Sequence, residues 1–264
     1  MSDKDSGLRD ELAHWYGVDM FARKEQRAAW LQAEVAYISG MIHRTMGMKS
    51  GDVESVLQIG AGPVDVVHYW PAPDRHAIDP LAEEYKKKFH ELQDEKVRYV
   101  AGSGKQLPYE DDYFDVVIIR NAFDHVDDPY QTARETLRVL KPTGALYIWI
   151  YLFSRRASLA YRTINALTKR YEAEPWAFTL SRIKRLLREN GFRVPFPAVE
   201  ERPRILDDEP RFPSARWRKS LVRRILDFSH KQAFECVAFP AADKNGIFPR
   251  SPFEIMNDRV AGGP

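Results

Sequence analysis

The chain has 264 residues, 44% of them hydrophobic and 12% aromatic, enough for one large domain, or one domain with a smaller appendage, around a substantial core. Its 40 Lys and Arg stand against 38 Asp and Glu, and a net charge of +2 argues against a protein that coats nucleic acid through bulk charge, while leaving local basic patches open. The single cysteine, Cys236, excludes an internal disulfide framework and, without partner thiols, argues against a thiolate zinc site.

The opening residues are polar and lack the apolar stretch of a signal peptide. The longest apolar run, 145–153, is nine residues long, well short of the roughly 20 that a membrane-spanning helix needs. It is expected to be a buried strand, in a soluble cytoplasmic protein.

Residues 8–47 lack proline and are spaced for helices. Leu8, Leu12, Trp15 and Tyr16 predict a short one; Trp30, Leu31, Val35, Ile38, Met41 and Ile42 predict a longer one stopped by Gly47. From residue 53 the pattern alternates as parallel βαβ units do. Strands are expected at 53–59, 75–78, 97–100, 114–119 and 145–151, and helices at 82–92 and from Asp128-Pro129 through Leu140, with 141–144 as the turn. An apolar stretch, 64–70, follows the first strand. Beyond 152 the rhythm changes. Basic helices are expected at 158–171 and at 180–189 behind a Thr179 cap, with a strand at 192–194. A proline-rich loop follows at 195–217, then a short basic helix at 220–228 and a last strand at 233–238. The pattern implies a Rossmann-like, doubly wound, mostly parallel seven-stranded α/β sheet. It divides into a helical flank (1–50), a cofactor-binding core (51–152), a helical substrate-side insertion with the final strands (153–240) and a tail (241–264).

Gly60-Ala61-Gly62 follows the first strand directly. Glycine there lets backbone approach a ligand, and the N–H groups of a following helix would favour polar or anionic cofactor groups. Asp79 stands at the end of the second strand, seventeen residues after Gly62, where a carboxylate accepts both ribose hydroxyls of a dinucleotide or an adenosyl cofactor. NAD and S-adenosylmethionine are both open at this point, although the third glycine of a dinucleotide site is absent.

Three further segments narrow the choice: 107–117 (LPYEDDYFDVV), 121–126 (NAFDHV) and 137–144 (LRVLKPTG). In this order, over 54–150, the chain resembles class I S-adenosylmethionine-dependent methyltransferases of the small-molecule, type 11-like branch. Residues 78–85 and 121–129 look like enzymes of polysaccharide and lipopolysaccharide biosynthesis, and 175–179 with 183–192 look like the segment before the last strands in such enzymes. The resemblance implies S-adenosylmethionine as cofactor, with S-adenosylhomocysteine as product. It places Gly60, Ala61, Gly62, Asp79, Pro80, Ser103, Gly104 and Asn121 at the cofactor. Departures are Gln58, where the family's first motif is usually acidic, and Val64, where a third small residue is usual. The turn 102–105 (GSGK) stands where an Asp usually holds the adenine amino group.

Methyl transfer to a hydroxyl needs alignment and a base. His125, just past the fourth strand, is the candidate base, with Asp124 to orient it or touch substrate. Asp127 and Asp128 are expected to cap the next helix. With Asp124 they also admit a Mg²⁺ site, but no metal is expected. The acceptor is expected to be a sugar or another small hydroxylated metabolite. Nucleic acid is disfavoured, because no Asn-Pro-Pro-aromatic signature follows the fourth strand and Cys236 lies in a strand. The basic segment 211–231 is the argument for contact with phosphate, a lipid carrier or a membrane surface. A catalytically degenerate binding or assembly protein of the same fold is the alternative, and an NAD-dependent oxidoreductase a distant third.

Overall fold

Parallel strands buried on both faces need largely apolar runs, and two such runs form the centre of one sheet. The computed structural model describes residues 4–168, 176–195 and 232–241. In it β1 (Ser55–Ile59) is buried throughout, and β4 (Phe114–Arg120) is buried except at Asp115 and Arg120. With β2 (Asp74–Asp79), β3 (Val97–Ala101), β5 (Leu140–Leu152), β6 (Phe192–Arg193) and β7 (Gln232–Pro240) they form a seven-stranded sheet ordered β3-β2-β1-β4-β5-β7-β6. The first five strands are parallel and β7 runs antiparallel to β5 and β6. The sheet is the expected one. Strand order reverses between β1 and β4, which opens a crevice at their carboxyl ends.

The two faces are covered differently. On one face Leu31, Val35, Ile38 and Ile42 of α2 (Lys24–Met46) join Val56, Val116, Ile118 and Tyr147 of the sheet, with Tyr85 and Phe89 of α3 (Ala82–Phe89) beside them. On the other, Ala133 and Val139 of α4 (Pro129–Val139) and Ile183, Leu186 and Leu187 of α6 (Leu180–Glu189) pack on Leu57, Ile59, Val117 and Ile148. Each such fully buried aliphatic side chain contributes about 1.5–3 kcal/mol of transfer free energy. α1 (Lys4–Gly17) lies against α3: the Tyr16 ring meets Phe89 edge-on at 6.1 Å, and Lys88 Nζ donates to the Tyr16 carbonyl at 3.0 Å. α5 (Arg155–Thr168) buries Ala157 and Tyr161 against Phe153 and Ala177.

Several helix ends form as their sequences require. The Asp128 side chain accepts from Gln131 N–H with Pro129 at the first helical position, Thr179 accepts from Arg182 N–H, and Gly47 ends α2 with φ 78°. The glycine turn does not feed a helix, contrary to expectation. Residues 64–70 hold only a 3-10 turn, Val66–Tyr69, because Pro63, Pro71 and Pro73 bracket the segment and three of its residues are β-branched. No α-helix N-terminus therefore follows the glycine turn, and α2 fills the layer that a crossover helix would occupy.

Leu140 does not end a helix, and residues 141–144 are not a turn either. They are the start of β5, in which Leu140 pairs with Phe114 before a register shift. The helix predicted over 82–92 ends at Phe89 and continues as a 3-10 turn, His90–Leu92. The basic helix predicted over 220–228, the segment 211–231, most of the loop 195–217 and the tail beyond 241 lie outside the described residues. No helix among the described residues is long and apolar enough to cross a membrane.

Candidate active site

The crevice is built from turns at the carboxyl ends of β1, β2, β3 and β4. Gly60 and Gly62 have φ of 68° and 58°, which side chains rarely tolerate. A Cβ on Gly60 would stand 2.4 Å from the Ala122 Cβ, so this glycine lets the turn after β1 seat against the turn after β4. Buried Ala61 lies between the two. Asp79 ends β2 with both oxygens engaged: Gly62 N–H donates to Oδ2 at 3.0 Å and Leu81 N–H to Oδ1 at 2.9 Å. A carboxylate has about four lone-pair sites, so two remain for ribose hydroxyls. Asp79 is 7% exposed, and burial raises its pKa from 3.8 to about 6 against the downward pull of those two N–H groups. Pro80 follows it, exposed.

The turn after β3 borders Asp79 directly, since Gly102 N–H donates to the Asp79 carbonyl at 3.2 Å. Ser103 is half-buried there. Gly104 is turned the other way: a Cβ on it would meet Thr132 at 2.7 Å and Ile59 at 3.1 Å, so it packs between α4 and β1. Asn121, exposed with φ 50°, ends β4 and donates its N–H to the Trp149 carbonyl at 2.7 Å. The structure thus brings residues 60–62, 79–80, 103 and 121 to one edge, and turns Gly104 into the core.

His125 is in the loop after β4, its side chain 34% exposed, with Nε2 3.8 Å from Oδ1 of the buried Asp124. Asp128 caps α4, whereas Asp127 does not: it pairs with Lys105 at 3.0 Å and ties this loop to the one after β3. The three acids therefore diverge, and among the described residues no group of His, Cys, Asp and Glu side chains is placed to hold a metal ion.

One cluster was not foreseen in the sequence. Gln58, fully buried on β1, donates to Asp65 Oδ2 at 2.6 Å and accepts from Val67 N–H at 3.1 Å. Asp65 Oδ1 accepts from Arg120 at 2.6 Å, and Arg120 reaches Glu34 of α2 at 3.4 Å while lying over the Trp30 ring at 4.9 Å. The signal for it was the amide at 58 with a carboxylate seven residues on, but its partners stand 55 and 86 residues apart.

Residues 57–148 match the model of a family described as the methyltransferase domain. That segment is similar to the domain this model describes. Among curated relatives, the ubiquinone/menaquinone biosynthesis C-methyltransferase UbiE of Vibrio campbellii is 42% identical over 52 residues, 20% of each chain. An uncharacterised methyltransferase of Schizosaccharomyces pombe is 28% identical over 150 residues, covering 51% of this chain and 50% of the relative. The matches thus span between a fifth and a half of these relatives' lengths. The YcgJ protein of Bacillus subtilis has the same fold, with a TM-score of 0.50 at 19% identity over 70% of this chain and 88% of that one. S-adenosylmethionine is the cofactor that similarity to a methyltransferase domain implies. The buried Asp79 carboxylate, the glycine turn and the open turn at Asn121 fit its ribose and amino-acid ends.

Proposed function

We propose that the chain is an S-adenosylmethionine-dependent methyltransferase acting on a hydroxyl of a small acceptor, a sugar-containing one of the kind handled in polysaccharide assembly. The observation that carries the reading is the half-exposed imidazole of His125, backed by the buried Asp124, on the crevice edge that also holds Asp79 and the glycine turn. When bound, S-adenosylmethionine supplies an electrophilic methyl group on a sulfonium.

The chain's own residues then have three tasks. Asp79 fixes the ribose, with Pro80 and Ser103 shaping the nucleoside side. The turns at Gly60, Ala61, Gly62 and Asn121 present backbone to the amino-acid end. His125 takes the hydroxyl proton, and the nearby Asp124 carboxylate stabilises the imidazolium that forms. A cavity of 410 Å³ beside the end of β5, lined by Phe153, Ser154, Arg155, Thr179 and Ser181 among others, suits a small polar acceptor. The segment that leads into Thr179 is tied to the His125 loop, since the Trp176 indole N–H donates to the Val126 carbonyl at 2.8 Å. The Vibrio relative is named as a C-methyltransferase, but a 52-residue match does not carry its acceptor atom to this chain.

A non-catalytic relative of the same fold is the second reading, favoured by Gln58 in place of an acid and by the burial of Asp79. Calorimetric titration with S-adenosylmethionine, S-adenosylhomocysteine and NAD separates the possibilities. Absence of binding by both sulfur compounds at millimolar concentration sinks the methyltransferase reading. Where binding is seen, His125→Ala should lower turnover at least about a hundredfold with little change in cofactor affinity. Equal losses in both would remove His125 as the base.

A further inference from the structure

The nucleoside end of the crevice has an acceptor for ribose but offers little to an adenine ring, which presents two flat faces and an exocyclic amine that donates hydrogen bonds. In the turn after β3, Gly102 is backed by Ile78, and Gly104 by Thr132 and Ile59, leaving Ser103 as the one residue of the three with a side chain. Yet Asp79 is 7% exposed although it lies at the mouth of a crevice.

The N-terminal helix supplies what is missing. Cζ2 and Cε2 of Trp15 come within 3.5 Å and 3.8 Å of where a Cβ on Gly62 would lie, so the indole edge faces the glycine turn across the space a side chain there would fill. The Trp15 indole N–H donates to Glu11 Oε1 at 2.7 Å, one helical turn back, which fixes both side chains relative to each other. Glu11 is exposed, and its field reaches Asp79 and Tyr85, contributing to the upward shift of both. The helix is fastened on its far side: Lys88 Nζ lies 4.0 Å over the Tyr16 ring, and the Tyr16 hydroxyl donates to the Glu84 carbonyl at 3.5 Å.

We propose that α1 forms the outer wall of the nucleoside pocket, with the Trp15 indole against adenosine and the Glu11 carboxylate accepting from its amine or a ribose hydroxyl. Helix α1 is then part of the cofactor site rather than a flank of the domain, and the protein binds adenosine-containing ligands through two elements some 60 residues apart in sequence. The inference rests on S-adenosylmethionine being the cofactor.

The test is calorimetric titration of the full chain and of its Glu11→Gln and Trp15→Leu variants with S-adenosylmethionine, S-adenosylhomocysteine and adenosine. Glu11 is at the surface, so Glu11→Gln keeps the fold, which thermal melting checks; Trp15→Leu keeps an apolar side chain against the helix's neighbours. The expected result is about a tenfold loss of affinity for all three ligands in Glu11→Gln, from loss of a charge-assisted hydrogen bond, and a loss at least as large in Trp15→Leu. A second readout is the change in tryptophan fluorescence on binding, which should shrink in Trp15→Leu. Unchanged affinity in both variants overturns the proposal. So does tighter binding, which would make α1 a plug in the crevice instead of its wall. Failure of the unsubstituted chain to bind any of the three removes the cofactor reading itself, and is distinguished by appearing without any substitution.

Discussion

Asp79 should make the ligand-free protein less stable as pH rises, and cofactor binding stronger over the same range. Its folded-state pKa is about 6 against an ordinary 3.8, with burial the largest cause and Glu11 adding to it. Because the folded value is the higher one, the favourable contribution is complete below 3.8 and is lost as pH rises through about 6. The gap between the two values corresponds to about 3 kcal/mol, or about 6 °C in melting temperature for a chain of this size. The facing titratable groups are Glu11 of α1, Tyr85 of α3 and Tyr99 of β3; both tyrosine values are pushed upward, so neither titrates in this range. Asp79→Asn removes the titration while giving up one accepted N–H bond at every pH. The melting temperature of the variant relative to the parent should therefore climb by about 6 °C between about pH 4 and about pH 7.5. Since ribose hydroxyls donate to the ionised form, S-adenosylmethionine affinity of the parent should fall about tenfold per pH unit below about 6. A pH-independent difference in melting temperature would refute the assignment of a raised pKa to Asp79. A pH-independent affinity would refute its role on the ribose.

Other consequences follow from single contacts. Gly60→Ala combines a left-handed φ with a Cβ 2.4 Å from Ala122 and should cost about 3 kcal/mol or more in urea unfolding, whereas Gly62→Ala, whose Cβ meets Trp15 at 3.5 Å, should cost about 1–2 kcal/mol. Arg138 donates to the carbonyls of Leu107 and Tyr109 and pairs with Glu135 and Asp111, so Arg138→Met should cost about 2–3 kcal/mol. Because that guanidinium holds Glu135 below its ordinary range, the loss should be larger at neutral pH than near pH 4, as urea titrations at the two pH values would show. The Cys236 thiol is fully buried and pushed up to about 12, so a disulfide reagent at about pH 8 should label it only as fast as the protein opens. Labelling of the native state at the rate of a free thiol would contradict its placement on β7.

The strands and the ends of α2, α4 and α6 were legible because each rests on local rules. The run 114–119 is apolar on both faces, Asp128-Pro129 is a cap followed by a first-turn proline, and Thr179 and Gly47 mark ends by their own side-chain or backbone preferences. The positions of Gly60, Gly62 and Asp79, the residues proposed for the cofactor, were legible for the same reason, since they stand at the ends of strands that could be placed. What misled was context. Residues 141–144 carry a turn-like Pro and Gly, yet Gly144 is in β5, where a Cβ on it would stand 2.8 to 3.0 Å from the Leu140 side chain and the Asp115 carbonyl. Gly104 sits in a plausible cofactor turn but serves packing, which no spacing rule reveals. Asp127 beside Asp128 looked like a second cap, and its partner Lys105 is distant in sequence.

The largest miss, the missing helix after β1, also accounts for the unforeseen polar cluster. A parallel sheet must be covered on both faces, so losing a crossover helix leaves Val56, Val116 and Ile118 to be covered by something else. α2 does this, entering β1 from the N-terminal side through residues 47–54, so its chain connection does not tie it to the loop that leaves the glycine turn. The contacts that fix it are therefore long-range: Leu31, Val35 and Ile38 against the sheet, and Glu34 against Arg120 on β4. Arg120 in turn grips Asp65, and Gln58 grips the other oxygen of the same carboxylate, so the loop leaving the glycine turn is clamped from β1 and β4 together. An acid at position 58 would face Asp65 at 2.6 Å and repel it; the amide donates there instead. Gln58 thus departs from the family's usual acid for a reason internal to this chain. It is the residue that lets Asp65 serve Arg120, and through Arg120 it helps bind α2 to the edge where Gly60, Gly62 and Asp79 stand.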